Sequence, residues 1–306
     1  MADRSVTSAA CPVCRNEQWR EYAVATRILA LPASHRILRC RRCRTSKLDP
    51  PLAPQDVEAL YGAGYFTLEG AARARHLDDF QHTSATRQPK FRNVIADLRS
   101  LLPGGRTILD VGAATGDFVL TARAAGLDAA GVERSRAAVE AAAARGIALR
   151  HGDLSAVTGC YDFVHLNHVF EHFTEPLAEL DRIKRLLKEG AILYLEIPYQ
   201  FNLIERLQAR MSKHRFRCSV HSFHHPYMYT PGSLRRLLES NGFEVLRQRV
   251  FDARRYPADG AVAGLKRVAW RCLASADVGN YVETFARLRA ERDRQRVRPG
   301  PEAPHG

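Results

Sequence analysis

The segment ILDVGAATGDF, residues 108–118, restricts this chain more than any other. An apolar strand enters a turn holding Gly112 and Gly116, and the chain leaves as a helix. Glycine tolerates positive φ and lets a ligand approach the backbone closely. A dinucleotide-binding turn requires glycine at its first, third and sixth positions. Here those positions are Gly112, Ala114 and Asp117. Asp110 at the strand tip and Asp117 at the helix start would repel a pyrophosphate, but they suit a ligand carrying an ammonium and a sulfonium.

The same alternation continues on both sides of this turn. Apolar runs at 107–111, 129–132, 147–150, 161–166, 191–197 and 243–250 read as strands. Residues 84–102, 117–125, 136–145, a segment opened by Pro176, and 232–240 carry helical spacing or helix caps. Strands alternating with helices imply a doubly wound, mainly parallel α/β sheet covered on both faces. Ligands of such sheets bind beyond the carboxyl ends of the strands. Past residue 251 the pattern fades; 282–290 reads as a helix, and the Arg- and Pro-rich stretch 294–306 as disordered.

Several polar residues fall at strand ends. Glu133 follows the second strand, 21 residues after Gly112, where an acid can accept from two ribose hydroxyls. Asp153 follows the third strand and is placed to accept from an adenine amino group. Asn167 ends the fourth strand, whose backbone would border the remaining part of the ligand.

The motifs LDVGAATGDF, AGVERS, HGDL, YDFVHLNHVFEHFTEP, LKEGAILYLEIP and TPGSLRRLLESNGFEV together resemble the class I S-adenosylmethionine (SAM)-dependent methyltransferases over about residues 105–250. The resemblance implies a Rossmann-like fold, SAM as cofactor, and Asp110, Gly112, Gly116, Glu133, Asp153 and Asn167 as cofactor contacts. Two departures stand out: Ala114 replaces a glycine common in relatives, and no seventh, antiparallel strand is discernible after residue 251.

Cys11/Cys14 and Cys40/Cys43 form two Cys-x-x-Cys pairs separated by 25 residues. Four thiolates can close a tetrahedral shell around zinc and leave no position for water, which defines a structural site. A ribbon of this kind, followed by a segment like APQDVEALYGAGYF with Tyr61, Tyr65 and Phe66, resembles a family of zinc-ribbon methyltransferases. That family is associated with sugars, glycolipids and secondary metabolites. The expected organisation is a zinc ribbon at 1–50, a linker and helical lead-in at 51–104, and a SAM-binding core at 105–251 with an insertion at 199–231. A basic, partly disordered extension at 252–306 follows.

The candidate chemistry follows the fourth strand, in NHVFEHF. His172 is the candidate general base for the acceptor, with Glu171 orienting or assisting it. His168-x-x-Glu171-His172 also matches an inverted zinc-protease pattern, but that pattern needs a helix, and here it begins at a strand end. In quinone-ring O-methyltransferases of similar fold, acids and a histidine in this place bind a divalent metal. His168 replaces the first of those acids, so metal is not the expectation. In the insertion, His214, His221, His224, His225, Tyr227 and Tyr229 form a second cluster; of these His221, His224, His225 and Tyr227 are the candidate substrate contacts.

The formal net charge of +13 is concentrated at the ends. Residues 1–50 hold ten Lys/Arg against four Asp/Glu, and residues 247–298 hold thirteen against six. Basic ends can attract polyanions, so an RNA methyltransferase is one alternative reading; it lacks an aromatic RNA-reading motif. A non-catalytic adaptor that uses the ribbon to bind a partner is another, and the intact cofactor motif opposes it. No run of 18 apolar residues and no signal-like start occurs, so the expectation is no membrane span and a cytoplasmic location. The leading expectation is a methyltransferase acting on a small-molecule acceptor.

Overall fold

A computed structural model describes residues 5–22, 34–51, 84–200, 202, 225–251 and 279–290. Tyr61, Tyr65, Phe66, His214, His221, His224 and the Arg-rich stretch 294–306 lie outside the described residues.

The larger sheet contains β5 (Thr107–Val111), β6 (Asp128–Glu133), β7 (Arg150–His151), β8 (Tyr161–Asn167), β9 (Leu187–Pro198), β11 (Phe243–Phe251) and β12 (Tyr281–Leu288). Its order is β11-β12-β9-β8-β5-β6-β7. The run from β9 to β7 is parallel, while β12 is antiparallel to both β9 and β11. Among the described residues, five α-helices accompany it: α1 (Ser84–Leu101), α2 (Asp117–Ala124), α3 (Arg136–Ala144), α4 (Pro176–Arg185) and α5 (Pro231–Ser240).

Successive strand residues face opposite sides, and the core divides accordingly. Ile108, Phe163, Ile192, Tyr194 and Phe285 pack with Phe91, Val94, Ile95 and Leu98 of α1, Phe118 and Val119 of α2, and Ala142 of α3. Leu109, Val111, Val164, Leu166, Leu193 and Leu195 pack on the other side with Leu180 and Ile183 of α4 and Leu234, Leu237 and Leu238 of α5. Each fully buried Val, Leu, Ile or Phe side chain among them contributes roughly 1.5–3 kcal/mol. Local signals start the helices: Ser135 accepts from Ala138 N, and Thr230 and Ser233 form a reciprocal cap around Pro231.

The reading of 282–290 as a helix is corrected, because these residues lie in and just beyond strand β12, the antiparallel strand that the sequence did not reveal. Its apolar spacing misled because β12 is enclosed between β9 and β11, so residues 282–286 are all buried, including Glu283 and Thr284. Pairing on both edges overrides the helical pattern. The core sheet therefore continues past residue 251. Two boundaries also move: β7 is Arg150–His151 rather than 147–150, and β9 starts at Leu187, ahead of Gly190.

The smaller sheet is antiparallel and consists of β1 (Ser5–Thr7), β2 (Gln18–Glu21), β3 (Arg36–Cys40), β4 (Ser46–Asp49) and β10 (Tyr227–Met228). Strand β10 comes from the end of the insertion and pairs with β4. Leu48 N also donates to Pro226 O at 3.2 Å. Cys11, Cys14, Trp19, Leu38 and Cys40 share one apolar cluster with Phe170, Tyr229 and the α4–α5 face. The cysteine unit is thus packed onto the core rather than tethered beside it. Among the described residues no helix is long and apolar enough to cross a membrane.

Candidate active site

The turn after β5 has the backbone that its glycines suggested. Gly112, Ala114 and Gly116 have φ of 70°, 47° and 82°. A Cβ on Gly112 would meet Val169 Cγ2 at 2.5 Å, so the turn after β8 lies directly over this loop. The N–H groups of Gly112 and Ala113 both donate to Val132 O, at 2.9 and 3.1 Å. Glu133 completes the cradle: its Oε2 accepts from Ala114 N at 2.9 Å and its Oε1 from Ser135 N at 2.8 Å. Each carboxylate oxygen has two lone-pair sites, so Glu133 retains capacity for a diol.

Asp110 is buried, and its Oδ1 lies 2.7 Å from His165 Nδ1. Burial pushes its carboxyl above the usual range, against the pull of His165. The His165 ring is stacked between Phe118, at 3.6 Å between centroids, and Tyr194, at 4.9 Å. Asp153 caps the one-turn helix Leu154–Ala156 through Ser155 N at 2.8 Å. Asn167 Oδ1 accepts from Lys90 Nζ at 3.2 Å.

Lys90 also reaches Glu196 Oε1 at 2.5 Å, and His168 Nε2 lies 3.2 Å from the same oxygen. Burial would raise the Glu196 carboxyl, but the Lys90 ammonium and the His168 hydrogen bond hold it well below the usual range. Tyr194 hydroxyl donates to its other oxygen at 2.9 Å. His168 itself has φ of 57°, a conformation that non-glycine residues take at cost and that recurs at functional sites.

The one-turn helix Phe170–His172 follows at once. Glu171 is 2% exposed, and neither of its oxygens accepts a hydrogen bond. His168 Nδ1 stands 3.5 Å from its Oε1. The His172 ring meets the His225 ring at 4.6 Å, nearly perpendicular. Tyr227 is half-buried in β10, and burial raises its hydroxyl pKa.

The four cysteines of the two Cys-x-x-Cys pairs converge. Cys11 Sγ lies 3.5 Å from Cys43 Sγ, and Cys14 Sγ 3.5 Å from Cys40 Sγ; all four sulfurs fall within 4.8 Å of one another. Zinc–sulfur bonds of ~2.3 Å in a tetrahedron require sulfurs about 3.8 Å apart. Both Cys-x-x-Cys turns close alike, with Arg15 N donating to Cys11 O and Arg44 N to Cys40 O. Arg15 and Arg44 take φ of 59° and 67°. The donor set and spacing fit zinc.

The structure thus unites Asp110, Gly112, Gly116 and Glu133 around one turn, and Asn167, Glu171, His172 and His225 around the adjoining one. Sequence reasoning missed Lys90, His165, Glu196 and Gln200. Two of them were detectable as polar residues inside apolar strands, in FVHL and LYLEIP. Lys90 had no such signal, because its partners lie 77 and 106 residues away.

Residues 83–248 match the family described as "Methyltransferase domain", and the chain belongs to that family. It is a class I SAM-dependent methyltransferase. No curated protein matches it. Among solved structures it is similar to the plantazolicin methyltransferase BamL, in complex with a triazolic desmethylPZN analog and SAH. That match has 14% identity, covers 77% of this chain and 98% of the other, and has a TM-score of 0.52. It is also similar to the plantazolicin methyltransferase BpumL in complex with SAH, with 13% identity, 77% and 96% coverage, and a TM-score of 0.52.

Proposed function

We propose that the chain methylates a small-molecule acceptor, a hydroxyl or activated carbon of a sugar, glycolipid or secondary metabolite, with His172 removing the acceptor proton. The observation that carries this reading is the position of the Phe170–His172 turn. Val169 packs over Gly112 of the cofactor turn, and the buried Glu171 carboxylate follows two residues later, beside His168 and His172.

SAM supplies an electrophilic methyl group. Asp110, Glu133, Asp153 and Asn167 at the strand ends would hold it, Glu133 through its ribose. Holding the acceptor in line with that methyl supplies most of the acceleration. Glu171 favours the imidazolium that forms when His172 takes the proton, because a desolvated carboxylate interacts strongly with a nearby positive charge. His225 and Tyr227 are the described candidates for contact with the acceptor. Cys11, Cys14, Cys40 and Cys43 hold a structural zinc that fixes the ribbon on which β10 is built.

The test is an acceptor screen with methyl-labelled SAM, starting from sugars, in wild type and His172→Ala. The reading expects kcat to fall about 10²- to 10⁴-fold with SAM affinity retained. Turnover unchanged in His172→Ala would refute the base assignment.

A further inference from the structure

Glu171, His172 and His225 come from two segments, yet one donor atom of each lies within 4.8 Å of the other two. Glu171 is the unusual member. Its carboxylate is buried and accepts no hydrogen bond, with His168 Nδ1 standing 3.5 Å from Oε1, and a cation bound there would offset the cost of that desolvation. His225 is 5% exposed, and its Nδ1 lies 3.0 Å from Gln200 Oε1. Donation from Nδ1–H to that amide oxygen orients the ring and places the lone pair on Nε2. Metal-binding histidines are held in this way by their second nitrogen.

We propose that Glu171, His172 and His225 form a binding site for one divalent transition-metal cation, distinct from the four-cysteine site. Two imidazoles and one carboxylate favour Zn²⁺, Co²⁺, Ni²⁺ or Fe²⁺ over Mg²⁺ or Ca²⁺. Three protein ligands also leave coordination positions open. Bonds of roughly 2.0–2.2 Å bring such donors to about 3–3.5 Å apart, within reach of small side-chain movements from a cluster whose donors lie within 4.8 Å of one another. Metal at 168–172 was not the expectation from the sequence, because His168 stands where an acid would be; here the third ligand comes instead from residue 225, brought in where β10 pairs with β4.

The site does not depend on which acceptor is methylated. It does constrain His172: an imidazole whose lone pair is given to a metal cannot take a proton, so cation and acceptor proton compete for that nitrogen.

The experiment uses the full chain, brought by mild chelation to one zinc per molecule and titrated with Co²⁺. Nitrogen- and oxygen-bound cobalt gives visible ligand-field bands without the thiolate-to-cobalt charge-transfer absorption that exchange at the cysteines produces. One equivalent of such cobalt is expected in wild type. Affinity should be at least about tenfold weaker in Glu171→Gln and in His225→Gln, each checked for wild-type circular dichroism. Absence of the thiolate-free band in wild type, or equal affinity in both variants, overturns the site. SAM binding is measured separately by calorimetry. Loss of the cobalt signal with SAM binding intact therefore refutes the metal site alone, while loss of SAM binding refutes the methyl-transfer reading alone.

Discussion

The ammonium of Lys90, on α1, lies 2.5 Å from the carboxylate of Glu196, which is 1% exposed on β9. This pair ties the helix preceding the core to the strand ends around the active site. Removing one partner of a buried pair leaves an uncompensated charge and costs about 3–5 kcal/mol; His168 remains beside Glu196 and reduces that cost. Lys90→Met is therefore expected to lose about 3 kcal/mol in urea unfolding. The pH dependence follows from the depressed Glu196 carboxyl. A group whose folded pKa is lowered stabilises the fold above its unfolded pKa and loses that contribution as pH falls through the folded value. Wild type should lose stability below pH ~4.5, and Lys90→Met should lose less over the same range.

Asp162 joins β8 to the start of β5. Its Oδ2 accepts from Arg106 N, Thr107 N and Thr107 Oγ1, at 2.9, 2.9 and 2.8 Å. Burial raises its carboxyl, but the two backbone amides, Lys188 and the Thr107 hydroxyl bring it down to about 2 from 3.8. At ~1.4 kcal/mol per pKa unit this corresponds to about 2 kcal/mol at neutral pH. Asp162→Ala is expected to lose at least about that much at pH 7. The difference from wild type should shrink as pH falls from 4 toward 2. A difference unchanged across that range would contradict the ionic origin of the effect.

The cysteine unit and the Phe170–His172 turn share one apolar cluster, and β10, next to His225, pairs with β4. Cys40→Ser should lower the zinc content and loosen this edge. The cofactor is assigned to the Gly112 side of Val169, so kcat for the acceptor should fall more than SAM affinity. Full turnover by folded, zinc-free protein would contradict this coupling.

How far the sequence led can be judged from particular residues. Gly112 and Gly116 announced the turn because glycine at positive φ is a local requirement, and the two Cys-x-x-Cys pairs announced a four-cysteine cluster because each pair's spacing is local. Strand β12 was hidden because its burial on both faces comes from β9 and β11, which are distant in sequence. His225 was legible as one histidine among several. Its place opposite His172 depends on β10 crossing to the ribbon sheet, which no local pattern encodes. The Asp110–His165 pair was equally hidden, since its members sit on neighbouring strands 55 residues apart.

Glu133 holds the cofactor turn through Ala114 N and Ser135 N, and it is the residue assigned to the ribose. The most direct test of the account is calorimetric titration of wild type and Glu133→Ala with SAM and with its demethylated product. The account predicts one cofactor per chain in wild type and at least about tenfold weaker binding in the variant, since hydrogen bonds to a charged group contribute about 1.5–3 kcal/mol each. No heat from folded wild type, or equal affinity in the two proteins, would contradict it.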